Sequence, residues 1–250
     1  MTAERSLGAA LAQVCDVQGW MSPDQAERLY RAAASTRAGD QIVEIGSFQG
    51  RSTIVLAYGA PEGAQVVAID PHAGNDRGPQ EIDGFVEQAA GDHERFNANL
   101  SDAGVSDRVR HVREFSDRAH DSVSGTIEVL YIDGAHRYAP ARADIVDWGA
   151  RVAPGGTMLI HDSFSSVGVT LAILRELLVS KRFRYVGRAR SLTEFRADLD
   201  GTLRSRVGNA ALLLAQLPWF IKNLSIKVLI TAKLGGVLRA ITGREPEWPY

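Results

Sequence analysis

Val43-Glu44-Ile45-Gly46-Ser47-Phe48-Gln49-Gly50-Arg51-Ser52-Thr53 reads as the end of a β-strand, a glycine-containing turn and the start of a helix. Gly46 and Gly50 let the backbone take positive φ and approach a ligand closely. The helix that follows offers free N–H groups and the positive end of its dipole. An open α/β sheet binds ligands at the carboxyl ends of its strands, and this turn is such an end. A dinucleotide fold would carry G-x-G-x-x-G here, and a P-loop would end in G-K-[ST]. The sequence has neither; it has Gly46-x-x-x-Gly50, with the acid Glu44 two residues before the first glycine. Taken alone, the segment reads equally well as a plain βα turn with two convenient glycines.

Outward from this turn, strands and helices alternate. Strands are predicted at Gln41 to Ile45, Gln65 to Ile69, Val109 to Val112, Ile127 to Ile132 and Thr157 to Ile160, the last after a tight turn at Pro154-Gly155-Gly156. Helices are predicted at Arg51 to Tyr58, Phe85 to Ala103, Ala139 to Arg151 and Val169 to Leu178. Such alternation makes βαβ units with right-handed crossovers. The expected class is therefore α/β, a doubly wound, mostly parallel, Rossmann-like sheet. Phe183 to Val186 and Leu192 to Phe195 are close enough to form an antiparallel edge hairpin. Residues 1–40 form an N-terminal helical segment, with Ser22 as N-cap and Pro23 at the first helical position. Residues 41–200 form the α/β domain, and residues 201–250 a C-terminal amphipathic helical segment.

Composition narrows the classes. The 250-residue chain is 45% hydrophobic with a formal net charge of −2, which gives nucleic-acid binding no basic patch to work with. Its one cysteine, Cys15, can form neither an internal disulfide nor a cysteine-based zinc site. The first residues lack the basic and apolar regions of a secretory signal, and no uninterrupted apolar run reaches spanning length. A cytoplasmic, soluble enzyme is expected.

The second strand sharpens the reading of the turn. Val66-Val67-Ala68-Ile69-Asp70 ends in an acid where a ribose-binding carboxylate belongs. Further on, Tyr131-Ile132-Asp133-Gly134-Ala135-His136-Arg137-Tyr138 and Leu159-Ile160-His161-Asp162-Ser163 each follow an apolar strand. Adjacent parallel strands would bring Asp133, His136, His161 and Asp162 to one rim. Charged residues at a strand end are poor for packing and useful for chemistry. Each of them also has a plain structural reading, as a helix cap or a hydrogen-bonded core histidine.

V-E-I-G-S-F-Q-G-R-S-T followed by V-V-A-I-D-P-H resembles motif I and the acidic motif of class I S-adenosylmethionine-dependent methyltransferases. Y-I-D-G-A-H-R-Y, A-P-G-G and I-H-D-S-F are similar to the small-molecule O-methyltransferase branch with a D-G-x-H signature, the macrocin-type and cephalosporin-hydroxylase-type sugar enzymes. The resemblance covers roughly Gln41 to Leu178. It implies that the turn, through Glu44, Gly46, Ser47, Gln49, Gly50 and Ser52, passes under the methionine part of the cofactor. It also implies that Asp70 holds the ribose hydroxyls, that Ser116 lies near the adenine beside Phe115, and that Asp133 reaches the cofactor. The acceptor implied is a small-molecule hydroxyl of a sugar or oligosaccharide.

An unactivated hydroxyl must lose its proton before it can take a sulfonium methyl. A bound Mg2+ or Mn2+ lowers the pKa of such a hydroxyl, and a base can then remove the proton. Asp133 and Asp162 are hard oxygen ligands for that ion, and His136 suits a general base. The related enzymes carry two acids at the second strand end; here the first is His161, which is expected in the metal shell or as a second catalytic histidine. His72 and Tyr138 are weaker candidates for substrate contact, and His93 and His111 look structural. The loop Pro71 to Glu87, with Gly74, Gly78 and Pro79, is expected to cover the site.

Asn209 to Gly243 differs from the rest. Its large apolar residues are interleaved with Lys222, Lys227, Lys233 and Arg239, a basic amphipathic pattern. Packing on the domain or a homodimer is the preferred expectation, with contact to a membrane surface behind it. Two other functions stay open: a non-catalytic cofactor-binding module acting through its C-terminal helices, and an NAD-type dehydrogenase, against which the missing G-x-G-x-x-G argues.

Overall fold

The computed structural model describes residues 5–74 and 86–232. Most of the loop expected to cover the site lies outside the described residues, as do Lys233 and Arg239. Five parallel strands form the body of one sheet: β1 (Gln41–Ile45), β2 (Gln65–Ile69), β3 (Val109–Val112), β4 (Ile127–Ile132) and β5 (Val152–Ile160). A hairpin of β6 (Arg184–Ala189) and β7 (Leu192–Arg196) completes it, with β7 antiparallel to β5. The order is β3-β2-β1-β4-β5-β7-β6, the doubly wound arrangement with an antiparallel edge.

The central strands are covered on both faces, which is why they read as apolar runs rather than alternating ones. Successive side chains point to opposite faces. Val43, Val67, Leu130 and Met158 join one core with α5 (Tyr138–Ala143) and α6 (Val167–Leu177). Ile42, Val66, Val129 and Leu159 join the other, against α2 (Pro23–Ala34), α3 (Arg51–Gly59) and α4 (Val86–Asp102). The N-terminal stretch is two helices, α1 (Leu7–Gln13) and α2, and the second ends at Ala34 rather than continuing to Ala38. The Gln25 side chain accepts the Ser22 N–H at 2.9 Å, closing the start of α2.

Two elements differ from expectation. The helix predicted over Ala139 to Arg151 is α-helical only to Ala143; Asp144–Trp148 widens into a π-turn and Gly149–Arg151 tightens into a 3-10 turn. The strand predicted from Thr157 starts at Val152, and Pro154-Gly155-Gly156 is a bulge within it. Ile127 pairs with Val152 and Val129 with Thr157, so extra residues loop out, with Gly155 at φ +82°. After the sheet, α7 (Leu203–Leu214) and α8 (Leu217–Thr231) run almost end to end.

Candidate active site

Four strand ends are locked level with one another. Gly46 N–H donates to Ile69 O at 2.9 Å, Asp133 N–H to Ile45 O at 2.8 Å, and His161 N–H to Ile132 O at 2.9 Å. Gly46 sits at φ +86°, and a Cβ there would lie 2.3 Å from the Asp133 carbonyl oxygen. This glycine is therefore required by the close approach of two strand ends, whatever the ligand. Gly50 caps α3 at φ +88°.

Asp70 ties the turn down. Its Oδ2 accepts the N–H groups of Ser47 at 2.9 Å and Phe48 at 2.8 Å, and its Oδ1 accepts that of His72 at 2.7 Å. The His72 ring meets the other side of the turn, with Nε2 2.8 Å from Phe48 O. Its ring packs against His93 and His111, and burial pushes the His111 imidazole down to about 4. These three histidines buttress the turn.

A cavity of about 670 Å³ opens above it, within the range of cofactor and substrate pockets. Gly46, Ser47, Ser52, Asp70, Ser116 and Asp133 all reach its wall, and so does His136. Ser47 Oγ is buried there without a hydrogen-bond partner among the described residues, a polar atom that a bound ligand could satisfy. Glu44, Gln49 and Gly50 lie behind the wall. Glu44 is fully buried and accepts the hydroxyls of Ser52 and Thr53. Burial pushes its carboxyl up to about 8, against the pull of those two hydroxyls. Gln49 donates to Asp92 Oδ1 at 2.7 Å, and a Cβ on Gly50 would meet the Phe96 ring.

Sequence reasoning missed part of the wall. Residues 18–21 cross the cavity, held by Arg51 Nη1 donating to Val17 O at 2.7 Å. Trp20 lies against Phe48 with ring centroids 5.7 Å apart. Asp144 lines the cavity beside Ser116, and burial raises its carboxyl to about 6 although the Ser116 side chain hydrogen-bonds it. A signal for Asp144 was present: it shares a helical face with Ala141, Ile145 and Trp148, all buried.

The acid–histidine rim is a connected network. Tyr131 Oη donates to Asp133 Oδ2 at 2.8 Å, and His161 Nδ1 lies 3.0 Å from Asp133 Oδ1. His136 Nε2 lies 2.5 Å from Asp162 Oδ2, and His161 Nδ1 is 3.8 Å from the same oxygen. Burial works to raise the Asp162 carboxyl, but the neighbouring His161, the hydrogen bond from His136 and the charge of Lys227 together hold it well below the usual range. Asp162 sits at φ +52° and Phe164 at φ +56°; such strain in non-glycine residues gathers at functional loops. Ligand atoms of Asp133, His136 and Asp162 fall within 4.8 Å of one another. The third member of that group is His136; His161 is buried, with its Nδ1 facing Asp133 Oδ1.

Residues 43–163 match the family model of a methyltransferase domain. Over those residues this chain is similar to a methyltransferase domain. The fold recurs in cofactor-bound Rv0187 from MTB, at 20% identity and TM-score 0.54 over 77% of this chain and 89% of that one. It recurs in the O-methyltransferase NovP, at 15% and 0.56 over 71% and 81%. The O-methyltransferase TomG from Streptomyces achromogenes, involved in tomaymycin synthesis and solved with S-adenosylmethionine, matches at 17% and 0.50 over 80% and 90%. These likenesses show a shared fold.

Proposed function

We propose that this protein is a methyltransferase that transfers the methyl group of S-adenosylmethionine to a hydroxyl of a small molecule, a sugar or a related polyol. The observation that carries the reading is the 2.5 Å pair of His136 Nε2 and Asp162 Oδ2, with His136 on the wall of the same cavity as the Gly46–Phe48 turn. When bound, the cofactor supplies an electrophilic methyl on a sulfonium. Ser47 and Asp70 would hold it: the unpartnered Ser47 hydroxyl fits a ligand's polar end, and the Asp70 carboxylate, which fixes the turn through the Ser47 and Phe48 N–H groups, reaches the same cavity wall. His136, oriented by Asp162, accepts the proton of the acceptor hydroxyl. A histidine fixed by a carboxylate keeps one tautomer and stabilises the charge that forms.

A metal-assisted version is favoured by one observation, the close grouping of Asp133, His136 and Asp162. Two carboxylates and an imidazole suit Mg2+ or Mn2+, with a preference toward manganese from the nitrogen ligand. Such an ion would compete with the bonds those side chains already make within the rim.

Binding of S-adenosylhomocysteine by calorimetry, followed by label transfer to a panel of sugars with and without chelator, tests the reading. Micromolar binding and labelled product are expected. A protein that binds no S-adenosylhomocysteine at millimolar concentration overturns it; one that binds but labels no hydroxyl compound favours a non-catalytic module.

A further inference from the structure

We infer that α7 and α8 dock the enzyme on an anionic lipid bilayer, lying along its surface rather than crossing it. These helices carry apolar residues on both sides. The side turned to the domain buries Leu213 in the core and packs Trp219 and Phe220 against it, and four polar residues bond it in place. Asn209 Oδ1 accepts the Tyr185 N–H at 2.6 Å, and Asn223 Nδ2 donates to Phe164 O at 3.1 Å. Gln216 Oε1 accepts from Arg188 Nε at 2.8 Å, and Lys227 Nζ donates to Ser165 O at 2.9 Å. Residues 209, 216, 223 and 227 follow seven- and four-residue steps, so they share one stripe.

The opposite stripe is apolar and faces outward. Leu203, Val207, Ile221 and Val228 are 74%, 60%, 61% and 57% exposed, and Leu214 is exposed with them. Val207, Leu214, Ile221 and Val228 recur every seven residues. This row of large aliphatic side chains runs along two consecutive helices, and an apolar medium would cover its water-facing side.

Charge selects which medium. Residues 201–244 hold seven basic residues and no acidic one, whereas residues 1–200 hold 21 basic and 28 acidic. Arg204 and Lys222, each one position past a residue of the apolar stripe, are exposed beside it. Apolar side chains flanked by cations fit the headgroup–acyl boundary of an anionic leaflet. A second copy of this chain would instead bring like charges together along the pairing seam. The stretch Leu203–Thr231 is long and apolar enough to cross a membrane. The bonds of Asn209, Gln216, Asn223 and Lys227 to the domain, however, hold it flat against the protein. Because α8 bonds Phe164 and Ser165, docking would set the loop that carries Asp162 close to the lipid surface.

The test is co-sedimentation of the full chain with vesicles of equimolar phosphatidylcholine and phosphatidylglycerol, and with phosphatidylcholine alone. Binding to the mixed vesicles that weakens with salt is expected, with little binding to the neutral ones. Val207→Glu with Ile221→Glu, and separately Arg204→Glu with Lys222→Glu, should each lower partitioning about tenfold or more. All four positions are exposed, so the melting temperature and S-adenosylhomocysteine binding should be unchanged, which separates lost docking from lost folding. Absence of binding to the mixed vesicles overturns the inference, as does binding that the glutamates leave intact. A homodimer that Ile221→Glu splits, in a protein that ignores vesicles, overturns it in favour of a second copy.

Discussion

The carbonyl oxygen of Asp133 lies where the side chain of Gly46 would be: a Cβ on Gly46 would come within 2.3 Å of it. The first glycine of the turn therefore serves two strand ends at once, the cofactor side of β1 and the acid–histidine side of β4. Gly46→Ala must both strain a positive-φ position and displace Asp133. We expect a loss of about 2–4 kcal/mol in stability, with weaker S-adenosylhomocysteine binding and lower turnover. Thermal unfolding and calorimetry check this; an unchanged melting temperature would contradict it.

Asp70→Ala removes the acceptor of three backbone N–H groups, from Ser47, Phe48 and His72. Cofactor affinity should fall by about 1.5–3 kcal/mol, the scale of hydrogen bonds to a charged group. Because the same carboxylate shapes the turn, the melting temperature should fall as well. Weaker binding with an unchanged melting temperature would assign Asp70 to the ligand alone.

The sheet was legible because its central strands are buried on both faces and bounded by turn residues. The hairpin β6–β7 was visible from two short runs of strand-forming residues close together in the chain, although β6, at the sheet edge, is only partly buried. The break in the helix after Ala143 was not, since Asp144, Ile145 and Trp148 keep a helical spacing through the π-turn. In the site, strand-end acids were readable, because Asp70, Asp133 and Asp162 each follow a run of aliphatic residues. The placement of Glu44 behind the wall was not readable: one residue of register on β1 separates facing the cavity from facing Ser52 and Thr53. Nor does spacing reveal that His136, from the loop before α5, reaches Asp162 ahead of the neighbouring His161.

Glu44 gives a pH dependence of stability. Its carboxyl is raised from 4.5 to about 8 in the folded protein, so the folded state binds the proton more tightly than the unfolded chain does. Its contribution to stability is full below about pH 4.5 and is lost as pH rises through about 8. Glu44→Gln, neutral at every pH, should remove that decline while keeping an amide to face Ser52 and Thr53. Melting temperatures from pH 5 to pH 9 decide it. Parallel curves for the two proteins would show that Glu44 is charged in its buried site.

The last prediction separates base from metal at the rim. His136→Ala should lower turnover by about two to four orders of magnitude, the usual worth of a positioned base, and leave S-adenosylhomocysteine binding nearly intact. Asp162→Asn keeps the shape of the partner but removes the charge that faces His136 at 2.5 Å, so it should depress turnover in the same way. Asp133→Asn discriminates between the readings. If an ion sits among Asp133, His136 and Asp162, this change and chelator should each abolish stimulation by magnesium or manganese. Without an ion, chelator leaves the wild-type rate untouched, and Asp133→Asn acts only by loosening Tyr131 and His161, the two side chains it now holds. His161→Asp adds a second carboxylate at the end of β5. In the ion-bound case it should strengthen magnesium dependence if His161 belongs to the metal shell. If His161 instead only braces Asp133, the substitution sets a second acid beside Asp133 in place of the imidazole that now faces it, and its effect should be a lower melting temperature with no gain in metal response. Initial rate against metal concentration, read beside the melting temperature, distinguishes these outcomes.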